Sequence, residues 1–206
     1  MTVQLPEGLV LNKLHTVTSD IDGTLAKTDE AMVKRYAEVN HLTYQKAYDE
    51  FLVKTDYEGR GPFIDKYIDD DPDFWLNLPT YPKDIQALIN FRSHTFYSVE
   101  RLYFVTARPD HLRPLTEQWI DKHFGILGYD GILMGTKDHK DTACEYVGSQ
   151  LHFEDHFKEA KLVAKAGIYV GVIDQPYNVQ YRDKNKDYMD KIFWVDSISD
   201  LGGPFA

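Results

Sequence analysis

Two carboxylates two residues apart, Asp20 and Asp22, close a β-branched apolar run and lead into Gly23-Thr24-Leu25. On an extended chain this spacing puts both acids on one side. Anions that close repel each other unless a cation neutralises them, and hard carboxylate oxygens suit magnesium. Gly23 permits the sharp turn that exposes both acids at the strand end, which is where ligands sit in α/β sheets. The plain alternative is a strand followed by an acidic Asp-Gly turn.

Other candidate groups follow along the chain. Thr106, in Phe-Val-Thr-Ala-Arg-Pro, can offer its hydroxyl and neighbouring amides, Ala107 among them, to a phosphate. Lys140, or Lys137 three residues earlier, supplies positive charge; a helix-start position followed by Asp-Thr favours Lys140. Glu154-Asp155 ends another apolar run, where adjacent acids call for a nearby cation. A nucleophile, a proton donor, a metal and holders for three oxygens are what phosphoryl transfer needs. His111, His123, His139, His152 and His156 lack zinc-site spacing and read as surface or packing residues. The acidic run Asp69-Asp70-Asp71-Pro72-Asp73 reads as a solvated turn, and Phe74 and Trp75 beside it could stack on a ring or pack an insert onto the core. Cys144 reads as a buried structural thiol.

The elements that must hold these groups alternate. Apolar runs at 16–20, 101–106, 131–134, 151–153, 168–173 and 192–195 predict six strands. Helical spacing predicts helices at 29–40, from Thr43 to Leu52, and from Pro82 to Phe91. Three more run from Asp110 to before Gly125, from Asp138 or His139 to about Val147, and from Phe157 to Ala166. Gly59, Gly61 and Pro62 predict a loop. Strand–helix alternation implies a parallel sheet, so the reactive groups should meet on one rim.

Composition narrows the function classes. The chain has 206 residues, enough for one domain or a core with a small insert. A net charge of -10 without a basic patch argues against gripping a polynucleotide backbone. No apolar run has membrane-spanning length, and no leader stands at the N-terminus. One cysteine cannot make an internal disulfide, which predicts a reducing cytoplasm. Fourteen tyrosines promise an aromatic surface.

These motifs, in order over about residues 15 to 200, resemble those of the haloacid-dehalogenase-like phosphatases. The resemblance implies a Rossmann-like three-layer core (1–25 and 99–206) with a small helical cap (26–98) inserted after the first strand. It implies that Asp20 is the nucleophile and Asp22 the acid and base. Magnesium would be held by Asp20, the backbone carbonyl of Asp22, and Asp155, with Glu154 in support. Thr106, Ala107 and Lys140 would bind the phosphoryl group. Within that superfamily, Phe74–Pro82 and Val172-Ile173-Asp174-Gln175-Pro176-Tyr177-Asn178 resemble segments of the 5'(3')-deoxyribonucleotidase group, whose cap aromatics stack on the base. Lys27-Thr28, Ala107 and Glu154-Asp155-His156 depart from that group's usual aromatic, Ser and Asp-Asp-Arg. The implied activity is magnesium-dependent hydrolysis of nucleoside monophosphates, and the expected partners are a small-molecule nucleotide and a second copy in a homodimer, with no membrane and no strong nucleic-acid binding. The alternatives are a polynucleotide 3'-phosphatase, a sugar-phosphate phosphatase and a non-catalytic nucleotide-binding protein.

Overall fold

The structure, a computed structural model, describes residues 3–55, 57–93, 99–125, 128–178, 181 and 190–201. Its centre is β1 (Thr16–Ser19), buried along its whole length. Around it lie β2 (Arg101–Val105), β3 (Gly131–Leu133), β4 (Leu151–Glu154), β5 (Tyr169–Ile173) and β6 (Ile192–Val195). All pair in parallel, in the order β3-β2-β1-β4-β5-β6. Strand order reverses between β1 and β4, which opens a crevice at their C-terminal ends. The register Ser19↔Phe104 and Ser19↔Phe153 brings Asp20, Thr106 and Glu154 to that rim.

Alternating side chains feed two cores. Phe104 joins a cluster with Ile85, Leu88 and Phe91 of α5 (Pro82–Ser93) and Trp119 and Ile120 of α6 (Arg113–Phe124). Val105, the next residue, joins Cys144 of α7 (Lys140–Tyr146) and Phe157, Ala160 and Val163 of α8 (Phe157–Lys165). Period two thus sends neighbours to opposite faces, and helices on both faces make three layers.

Between β1 and β2 the chain also forms α1 (Thr28–Asn40), α2 (Tyr44–Tyr48), α3 (Tyr57–Tyr67) and α4 (Pro72–Leu76). Val33, Ala47 and Phe51 make a small cluster of their own there. The outgoing and returning segments pair antiparallel at Ala26↔Thr80. Lys27 N–H donates to the Pro79 carbonyl and Tyr81 N–H to the Leu25 carbonyl, both at 2.8 Å. Because α5 shares the main cluster with the sheet, it packs with the core layers; residue 98, where the cap was expected to end, lies outside the described residues.

Two local readings need correction. The loop predicted at Gly59, Gly61 and Pro62 is α3, with Pro62 inside the helix. Phe63 packs against Phe51 and Tyr36 at 5.3 and 5.1 Å between ring centroids, so packing overrides weak propensity. The acidic run is more than a solvated turn. Asp71 caps α4 by accepting from Phe74 N–H at 3.2 Å, with Pro72 in the first turn. Among the described residues no helix is long and apolar enough to cross a membrane.

Candidate active site

Asp20 follows β1 directly, 4% exposed, its N–H donating to the Phe153 carbonyl at 2.8 Å. Its Oδ1 lies 3.0 Å from Nζ of Lys140, the first residue of α7. Lys140 is buried, whereas Lys137 is exposed. The same ammonium donates to Glu154 Oε2 at 2.6 Å. That oxygen is also 3.3 Å from His152 Nε2, and Oε1 accepts from His156 N–H at 2.9 Å. With both oxygens engaged, Glu154 holds the lysine.

Asp155 sits beside this pair. It accepts from Thr24 Oγ1 at 3.4 Å and from the Tyr177 hydroxyl, and its carbonyl accepts from Asn178. One carboxylate oxygen each from Asp20, Glu154 and Asp155 fall within 4.8 Å of one another. Gly23 has φ +77°, and a Cβ there would collide with the Asp155 carboxylate. The turn therefore needs glycine both for its conformation and for the close approach.

Burial pushes the Asp20 carboxyl up to about 7, with Lys140 pulling the other way and Glu154 and Asp22 adding repulsion. Burial, then Glu154 and Asp20, raise Asp155 well above the usual carboxylate range. Burial opposes the ammonium of Lys140, but Asp20 and Glu154 overcome it and raise its pKa. Burial likewise opposes ionisation of Glu154, and Lys140 and His152 hold it low. Two buried acids that resist ionising beside each other are what a divalent cation would relieve. Their hard oxygens fit magnesium.

Asp22 is held differently. Arg108 Nε donates to its Oδ2 at 2.9 Å and Nη2 to its Oδ1 at 2.7 Å, and Thr28 Oγ1 adds a third donor. Burial opposes ionisation here too, yet Arg108 keeps the carboxyl below its usual range. Arg108 is itself 3% exposed, donates to Thr116 Oγ1 at 3.2 Å and lies 4.9 Å over the Trp75 ring. Thr106 is buried at the rim, its Oγ1 accepting from Arg108 N–H at 3.2 Å, while Ala107 is exposed there.

Of the two expected roles of Phe74 and Trp75, the structure carries packing. They are 8% and 4% exposed within the main cluster, edge to face at 5.2 Å, and Trp75 Nε1 donates to the Asp69 carbonyl. Both rings are largely covered, and Trp75 lies under the Arg108 guanidinium. The aromatic surface is elsewhere. Tyr44, Tyr48, Tyr81 and Tyr177 line a cleft of about 210 Å³ that reaches Gly23 and Lys27. Lys27 Nζ stands 5.1 Å over the Tyr81 ring, and Gln175 Nε2 donates to the Gly23 carbonyl at 2.8 Å.

Sequence reasoning missed Arg108, Thr28, His152 and Tyr177. Arg108 had a signal, a cation two residues past the threonine expected to bind phosphate. His152 had one in strand alternation, which puts it on the same face as Glu154. Thr28 had none.

No family model matches the chain. Among solved structures it resembles CbbY from Rhodobacter sphaeroides in complex with phosphate, with a TM-score of 0.61 and 19% identity, over 92% of this chain and 97% of that one. It resembles the L-2-haloacid dehalogenase from Xanthobacter autotrophicus with a TM-score of 0.59 and 11% identity, over 91% and 96%. The fold is that of the haloacid-dehalogenase-like hydrolases. Within that fold, Asp20, Thr106, Lys140 and Glu154-Asp155 occupy successive elements around one rim. By sequence, the chain is 32% identical over 102 residues to "Putative nucleotidase YqfW" of Bacillus subtilis, covering 47% of this chain and 52% of that protein. It is 29% identical over 103 residues to "Nucleotidase CA_C3379" of Clostridium acetobutylicum, covering 50% of each. The chain thus spans about half the length of the curated relatives it matches.

Proposed function

We propose that this protein is a magnesium-dependent phosphatase of nucleoside monophosphates, acting on 5'(3')-deoxyribonucleotides through an aspartyl-phosphate. The observation that carries the reading is the buried Lys140 ammonium, 3.0 Å from Asp20 and flanked by the acids of β4. A cation placed against a nucleophilic carboxylate suits the oxygens of an incoming phosphoryl group.

Asp20 attacks phosphorus in line with the ester oxygen, and the P–O bond to the nucleoside breaks. Asp22 gives that oxygen its proton, then takes one from the water that releases phosphate from Asp20. Asp22 must carry a proton for the first step; once it has given that proton up, the Arg108 fork stabilises the carboxylate that activates water. Lys140, Thr106 and the amide of Ala107 hold the phosphoryl oxygens. Asp20, the Asp22 carbonyl and Asp155 would hold magnesium, with Glu154 supporting Lys140. When bound, the ion supplies positive charge against the phosphoryl oxygens.

In this reading the helical cap spans the insert between the paired linkers, within the expected 26–98. Its α2 tyrosines and the linker's Tyr81 face the leaving group, and a nucleoside ring fits an aromatic-lined cleft. Relatives named as nucleotidases support this reading, and the free, buried Cys144 is compatible with a cytoplasmic setting. The test is phosphate release from a panel of 5'- and 3'-nucleotides and sugar phosphates, with magnesium and with chelator. Turnover of nucleotides only with magnesium is expected. Robust turnover of sugar phosphates with none of nucleotides overturns the substrate assignment.

A further inference from the structure

On the sheet face covered by α7, β1 and β4 place polar side chains against each other where a buried parallel sheet ordinarily sets apolar ones. Thr18 and His152 are register partners on these strands, and both are fully buried. Thr18 Oγ1 is 2.9 Å from His152 Nδ1 and 2.8 Å from Ser149 Oγ. The other ring nitrogen, Nε2, is 3.3 Å from Glu154 Oε2. That oxygen takes the Lys140 ammonium at 2.6 Å, and the ammonium stands 3.0 Å from Asp20. An unbroken polar line therefore runs from the interior of the sheet to the nucleophile.

Such a line carries a cost, since every buried polar group must find a partner. An aliphatic residue at position 152 would fill the same space without that demand. What the imidazole adds is a second donor on Glu154 Oε2. With His156 N–H on the other oxygen, the carboxylate plane is fixed from both ends. Without the imidazole, Oε2 keeps only the flexible lysine, and the two side chains can shift together.

We propose that His152 is a positioning residue of the phosphoryl site, fixing the Glu154 carboxylate so that Lys140 is aimed at the oxygens beside Asp20. This rests on the phosphatase reading for its effect on rate, but not for its effect on anion binding. Thr18 and Ser149 set the ring from behind, so β1, which carries the nucleophile, also orients the group that steadies the lysine.

The test compares His152→Leu, which keeps bulk and removes both nitrogens, with His152→Gln, whose amide can still donate to Glu154. Two quantities are read beside the melting temperature: kcat/KM for a small phosphate ester, and the dissociation constant of inorganic phosphate with magnesium present. His152→Leu is expected to weaken phosphate binding and lower kcat/KM by about tenfold or more, the usual size for a partner one shell out. His152→Gln is expected to recover most of both. A lowered melting temperature with unchanged phosphate affinity and kcat/KM overturns the proposal, as does a Gln variant no better than Leu. If His152→Leu does not fold, Thr18→Val releases the ring from behind and carries the same expectation, and unchanged phosphate affinity there overturns it. Failure of the unmodified protein to hydrolyse any monoester sinks the phosphatase reading alone, because the phosphate-binding comparison still decides on His152.

Discussion

At the scale of single residues, the site sets chemistry against stability. Asp20 is a buried acid that burial pushes up to about 7, so ionising it is costly. Asp20→Asn removes that charge and keeps the shape. Turnover is expected to vanish, while the melting temperature in metal-free buffer stays equal or rises, as is common where function strains a fold. A variant that keeps full rate rules out the covalent route. Arg108 makes a forked contact that lysine cannot reproduce. Arg108→Lys is therefore expected to lower kcat about a hundredfold with little change in KM, the scale of a misplaced acid–base group. Unaltered kcat would mean the fork only packs. Asp20, Thr106 and Glu154-Asp155 were readable as candidates because each sits at the end of an apolar strand, a position that sequence pattern marks well, and Lys140 because it stands at a helix start. Arg108 and His152 carried only weak local signals: the bonds from Arg108 reach Asp22, 86 positions away, and His152 gained its partner Glu154 only through strand alternation.

At the scale of elements, the turn after β1 carries the most constraint. Gly23 holds a left-handed φ of +77° with the Asp155 carboxylate pressed against it, and Gln175 secures its carbonyl. Gly23→Ala is expected to cost about 1–2 kcal/mol from the backbone conformation alone. It is also expected to displace Asp155, so that activity becomes harder to saturate with magnesium. Urea unfolding and a magnesium titration read the two effects separately. The six strands and most helices were readable from periodicity, since a buried parallel sheet writes itself as apolar runs. Helix α3 was not, because its three breakers argue for a loop and only the packing of Phe63 on Phe51 and Tyr36 outweighs them. For α4 the signal was present in Asp71-Pro72, a cap and first-turn pair hidden inside a run of acids.

At the scale of the whole molecule, the cleft lies where the insert, the returning linker and the segment after β5 meet. Tyr81 belongs to the linker and has Lys27 over its ring. Tyr81→Ala is expected to raise KM for a nucleotide several-fold more than for p-nitrophenyl phosphate, measured side by side. Equal changes would assign the ring to hinge packing. The tyrosine count pointed to an aromatic surface without placing it, and Phe74 and Trp75 suited stacking and packing alike. Large aromatics beside an acidic turn look alike whether buried or open, and only the folded layers distinguish the two.

The support for Asp155 has a consequence for biosynthesis. Gly23 and Gln175 are 152 positions apart, and Tyr177 and Asn178 steady Asp155 from late in the chain. A nascent polypeptide halted before residue 174 already displays Asp20, yet the rim around it is unfinished. Long-range pairings of this kind also form slowly. The rim is therefore complete only once the segment carrying Gln175, Tyr177 and Asn178 has been made.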